Sequence, residues 1–151
     1  MIIKSLDHLQ LVSKKIADQI SHKDCIFLIG EIGVGKTTFT RYLINYFQKR
    51  EGVKQTEVLS PTFNLLYEYD IKKLKVMHYD LYRIKNSKEI DQLGIFHENI
   101  NSIKIIEWPQ FIETKLLNRL DIYLSYSKDE SERNLDIKGL GKWKEFNLNE
   151  L

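Results

Sequence analysis

Gly30-Glu31-Ile32-Gly33-Val34-Gly35-Lys36-Thr37 fits the phosphate-loop pattern G-x-x-x-x-G-K-[ST] at every fixed position. Its surroundings fit as well. Asp24 to Ile29 is a short apolar run of strand length, and after the loop Phe39, Tyr42, Leu43, Tyr46 and Phe47 recur at helical spacing. Strand, glycine loop, helix is the order that phosphate binding requires. The glycines let the backbone bend tightly and aim several N–H groups at an anion. The helix start adds partial positive charge. Lys36 is placed to reach the outer phosphates and the Thr37 hydroxyl to ligate magnesium. The nucleotide is expected along Glu31, Ile32, Gly33, Val34, Gly35, Lys36, Thr37 and Thr38.

Outward from the loop, the rest of the chain reads as α/β. Leu6 to Ile20 carries Leu9, Val12, Ile16 and Ile20 on one helical face, with Ser5 as a cap. The loop helix runs to about Lys49 and breaks at Glu51-Gly52-Val53. Val58-Leu59 reads as a short strand before Ser60-Pro61-Thr62. Phe63 to Asp70 alternates with a strand period, Ile71-Lys72-Lys73 turns, and Leu74 to Tyr79 returns as the second arm of a hairpin. Ser87 to Leu93 reads as a short helix capped by Ser87 and stopped by Gly94. Ile103 to Ile106 is a compact strand ending at Glu107-Trp108-Pro109, followed by a helical piece to about Leu117. Leu120 to Tyr126 and Arg133 to Ile137 are late strands around a polar turn. The expected fold is a mixed sheet of the phosphate-loop NTPase kind, flanked by helices. It is parallel at the loop and extended by antiparallel hairpins.

With 151 residues, 42% of them hydrophobic, the chain reads as a single domain spanning residues 1–151. Its net charge of +2 does not announce a nucleic-acid binder. Cys25, the single cysteine, is expected to be a small buried hydrophobe within a strand. Met1 to Ser5 lacks a signal-peptide core, and no apolar run approaches membrane-spanning length, so a soluble cytoplasmic protein is expected.

A phosphate loop needs a carboxylate at a neighbouring strand end to hold magnesium, directly or through water. Glu107 and Asp80 both stand at such ends, and these patterns do not choose between them. Ser60 and Thr62 offer hydroxyls on a loop stiffened by Pro61. Trp108 suits either a wall near the phosphates or simple packing. His8, His22, His78 and His97 lack zinc spacing and are expected in structural or surface roles. Lys72, Lys73 and Lys75 beside Tyr67 and Tyr69 read as a solvated hairpin tip rather than an RNA-binding patch.

Four segments in order resemble the TsaE family, the bacterial ATPases needed for threonylcarbamoyladenosine modification of tRNA. They are Gly30 to Phe39, Ser60-Pro61-Thr62-Phe63, His78-Tyr79-Asp80-Leu81-Tyr82-Arg83 and Ile106-Glu107-Trp108-Pro109. Glu89 to Gly94 and Ser131-Glu132-Arg133 extend the resemblance over nearly the whole chain. Gln110 stands where the family often has an acid and Val34 where it often has alanine. The resemblance implies ATP and Mg2+ as ligands, with Lys36 and Thr37 binding phosphate and magnesium. It implies that Glu107 is a magnesium ligand and that Asp80 is needed for hydrolysis, making Lys36, Asp80 and Glu107 the catalytic set. Thr37 and Glu107 are expected on opposite sides of the ion. It also implies two partners: TsaD, which transfers the threonylcarbamoyl group, and its paralogue TsaB. Contact with tRNA would be indirect, through that complex. Two rival functions use the same loop: a small-molecule or nucleoside kinase, and a nucleotide-gated binding module with little catalysis. A kinase normally needs an arginine-bearing lid, and Arg83, Arg119 and Arg133 are few and scattered.

Overall fold

The computed structural model describes residues 1–96, 101–113 and 118–147. Seven strands form one sheet: β1 (Ile2–Ile3), β2 (Cys25–Ile29), β3 (Leu66–Ile71), β4 (Leu74–Asp80), β5 (Ile103–Glu107), β6 (Arg119–Tyr126) and β7 (Arg133–Leu140). Their spatial order is β1-β7-β6-β2-β5-β4-β3. β4, β5, β2 and β6 run parallel. β3, β7 and β1 are added antiparallel at the two sides. The mixed sheet with a parallel centre is therefore as the sequence pattern implied.

Strand alternation divides the core between the two faces. Ile26 and Leu28 of β2 face α1 (Leu6–Gln19) and α2 (Lys36–Arg50), where Val12, Ile16, Phe39, Leu43 and Phe47 are buried. Cys25 and Phe27 point the other way, into a smaller cluster with Tyr79, Leu81, Ile84, Ile106 and Ile90 of α3 (Ser87–Gln92). Burial pushes the Cys25 thiol far up, so it behaves as the expected inert hydrophobe. The Ser5 side chain caps α1 by accepting from the His8 N–H at 3.1 Å. Gly52, at φ 66°, follows the end of α2 as expected.

Several local expectations give way. Val58-Leu59 forms no strand; Val58 is buried as an irregular segment, and its carbonyl accepts from Arg41. Phe63 is not in β3 but in the turn before it, 85% exposed. That turn closes through Leu65, which takes φ 63° and donates its N–H to the Pro61 carbonyl. Asn86, not Ser87, caps α3, accepting from the Glu89 N–H at 3.1 Å. After β5 the described chain makes a turn from Pro109 to Ile112 rather than a helix, and residues 114–117 of the expected helical piece lie outside the described residues. His97 also lies outside them. β1 was too short to show any period, and β7 runs three residues beyond the expected Ile137.

Candidate nucleotide site

The loop after β2 turns into α2 at Gly35, whose φ of 118° suits glycine. At Gly30 the constraint is space: a Cβ there would lie 2.3 Å from the Leu124 carbonyl oxygen. The loop thus packs backbone against backbone on β6. Lys36 opens α2, and its ammonium curls back to donate to the Gly30 and Glu31 carbonyls, each at 2.8 Å. It also lies 4.0 Å above the centre of the Trp108 ring. Trp108 therefore forms a wall of the site, and it reaches that position with φ 58° at the end of β5. Burial lowers the Lys36 pKa, and the nearby Glu107 and Asp80 carboxylates oppose the shift. A cation so placed gains from an anionic ligand.

The sheet register brings the two acids together. Asp80 at the end of β4 is the direct neighbour of Glu107 at the end of β5. Both side chains are buried. The Thr37 hydroxyl contacts both Glu107 oxygens, at 3.0 and 3.1 Å. The two side chains expected to hold magnesium therefore stand in direct contact.

Asp80 is engaged differently. Its Oδ2 accepts from the Ser60 and Thr62 hydroxyls at 2.7 and 2.9 Å, and its Oδ1 accepts from the Tyr82 N–H at 3.0 Å. One carboxylate therefore ties the Ser-Pro-Thr loop to the turn after β4. The contact with the Tyr82 N–H caps the turn that follows β4. The acids, both hydroxyl-bearing segments and the loop line a cavity of about 280 Å³, with Ile32, Gly33, Gly35, Lys36, Thr38, Tyr82 and Trp108. Glu31 reaches the site through its carbonyl, and Val34 is buried in the core beneath the loop.

His78 is the site residue that sequence reasoning missed. It is fully buried, and its Nε2 lies 2.9 Å from Glu107 Oε1. The available signal was its position two residues before Asp80, on the same face of a strand. The hairpin tip, by contrast, is as expected of a solvated turn: Lys75 pairs with Glu68 and Asp70.

Among the described residues, no cluster of three or more His, Cys, Asp or Glu side chains could hold a metal alone. The donors present, one hydroxyl and one carboxylate, are the hard oxygens that suit magnesium when phosphate oxygens and water supply the rest. The same chain order of loop, Ser-Pro-Thr, Asp80 and Glu107-Trp108 bears on ancestry. The family model described as threonylcarbamoyl adenosine biosynthesis protein TsaE matches residues 3–135. The chain belongs to the TsaE family.

Relatives named tRNA threonylcarbamoyladenosine biosynthesis protein TsaE include one from Rickettsia conorii. It is 38% identical over 112 residues, covering 74% of this chain and 61% of that protein. The Bacillus subtilis relative of the same name is 33% identical over 133 residues, 85% of this chain and 77% of that protein. The crystal structure of Bacillus subtilis YdiB superposes with a TM-score of 0.73 at 26% identity, covering 99% of this chain and 90% of that one. The chain thus spans about three fifths of the Rickettsia conorii TsaE protein's length. Among the described residues, no helix is long and apolar enough to cross a membrane.

Proposed function

We propose that this TsaE-family chain binds and hydrolyses ATP with magnesium, supporting repeated turnover of the cytoplasmic complex that makes threonylcarbamoyladenosine in tRNA next to the anticodon. The observation that carries the reading is the contact between Thr37 and Glu107 at the mouth of a complete phosphate loop. It joins the hydroxyl that follows the loop lysine to an acid on the neighbouring parallel strand, the pair of donors that magnesium-nucleotide binding uses. The amides of Gly33, Gly35 and their neighbours cradle the phosphates, and Lys36 exchanges the loop carbonyls for phosphate oxygens. Thr37 and Glu107 hold the ion. Magnesium, when bound, neutralises charge that develops on the phosphate oxygens. Asp80, beside Glu107, orients the attacking water. TsaB and TsaD are the partners, and tRNA is reached through them.

The kinase alternative draws no support from the arginines. Arg83 lies over Phe63, Arg119 pairs with Asp121, and Arg133 donates to the Glu130 and Glu132 carbonyls. None of them lines the cavity. Product analysis with radiolabelled ATP, with and without TsaB and TsaD, tests the proposal. Free phosphate alone, in greater yield with the partners, is expected. Label on a small acceptor would establish the kinase, and no release under either condition would leave a binding module.

A further inference from the structure

Glu107 is touched from two directions. From the cleft comes Thr37, itself a proposed ligand of the ion. From inside the sheet comes His78, and among the described residues no other side chain holds the carboxylate. The register explains the contact. His78 stands opposite Ile105 and Asp80 opposite Glu107, so His78, Asp80 and Glu107 project from the same face of adjacent strands.

A histidine at this depth needs a physical reason. Its neighbours along β4 and β5 are largely apolar, and a leucine or phenylalanine would fill the space without burying polar atoms. The ring is fully buried, and its Nδ1 has no hydrogen-bond partner. The fold therefore buries a polar ring at this point while keeping its Nε2 on Glu107. The acceptor fixes the direction of the bond: a carboxylate oxygen accepts, so the ring donates through Nε2–H to Oε1.

We infer that His78 is a positioning residue whose Nε2–H holds the Glu107 carboxylate so that its remaining lone pairs face the magnesium side of the cleft. The inference rests on the magnesium-nucleotide reading above and adds a determinant of how tightly the site takes its ion. Carboxylates that ligate metals are commonly aimed by such hydrogen bonds, and removing the partner weakens metal binding by about 10–100-fold.

The test is calorimetric titration of ADP over a series of magnesium concentrations, using the wild-type protein, His78→Gln and His78→Asn. A glutamine amide extends to the region of Nε2, whereas the asparagine amide is one carbon shorter and falls away from Glu107. Magnesium-free ADP affinity should be unchanged in both variants, since neither touches the phosphate loop. The magnesium concentration giving half of the full enhancement should stay near wild type in His78→Gln and rise about 10–100-fold in His78→Asn. A wild-type magnesium requirement in His78→Asn would overturn the inference. So would a raised requirement in His78→Gln, which decides the matter even if the shorter variant does not fold. Wild-type protein that binds ADP without any response to magnesium would instead defeat the metal reading itself, and this inference with it.

Discussion

At the scale of single residues, the two acids do different work although they stand side by side. Glu107 meets the loop through Thr37, whereas Asp80 spends its hydrogen bonds on Ser60, Thr62 and Tyr82. Asp80→Ala should keep ATP affinity, because a group needed only in the transition state adds little to ground-state binding. Its phosphate release should fall by about 10²–10⁴-fold. Asp80→Asn separates charge from anchoring: the Ser60 and Thr62 hydroxyls can accept from its amide, so the loop stays docked while turnover still falls. Equilibrium binding and multiple-turnover release on both variants check this. Loss of affinity in Asp80→Asn would make Asp80 a ground-state ligand. Glu107→Gln should melt near wild type, since the amide retains partners for Thr37 and His78, but should lose magnesium-dependent release. Release that still responds to magnesium in the wild-type range would remove Glu107 from the metal.

At the scale of elements, the loop is positioned by backbone contact as much as by sequence pattern. Gly30→Ala would force a Cβ onto the Leu124 carbonyl and within 2.9 Å of Val34. Stability should drop by about 1–3 kcal/mol, seen as a melting point lower by about 2–4 °C per kcal/mol. A variant melting like wild type would mean that β6 yields freely at this point. What was legible in the sequence was what local pattern determines. β2, the loop and α2 announce themselves through an apolar run, three glycines and helical spacing, and the Glu107 strand through three isoleucines in four residues. The Ser60 to Leu65 segment was not legible. Its apparent strand period dissolves because Leu65 takes a left-handed conformation and the segment docks on Asp80, a tertiary contact invisible to periodicity. His78 escaped for the same reason: only the pairing of β4 with β5 brings it under Glu107.

At the scale of the whole molecule, a stabilising clasp and the proposed nucleotide site lie at opposite ends of β2. Before the strand, the buried Asp24 accepts from the Trp143 indole N–H and the Ser21 N–H and pairs with Lys142, clasping the 3₁₀ turn Gly141–Trp143 after β7 to the sheet. After the strand comes the phosphate loop. Asp24→Ala leaves the indole N–H unpaired and should destabilise the fold by about 1–3 kcal/mol, read by denaturant unfolding, with ATP affinity unchanged. A matching loss of affinity would show that the two ends are coupled. Under the proposed function each chain carries one magnesium-ATP site at this loop. Calorimetric titration of ATP in magnesium, on wild type and Lys36→Ala, tests it most directly. One nucleotide per wild-type chain is expected. In the variant, affinity should be weaker by about 10–150-fold, the equivalent of the roughly 1.5–3 kcal/mol of a charge-assisted hydrogen bond. Equal affinity in the two proteins, or no binding to wild type, would contradict it.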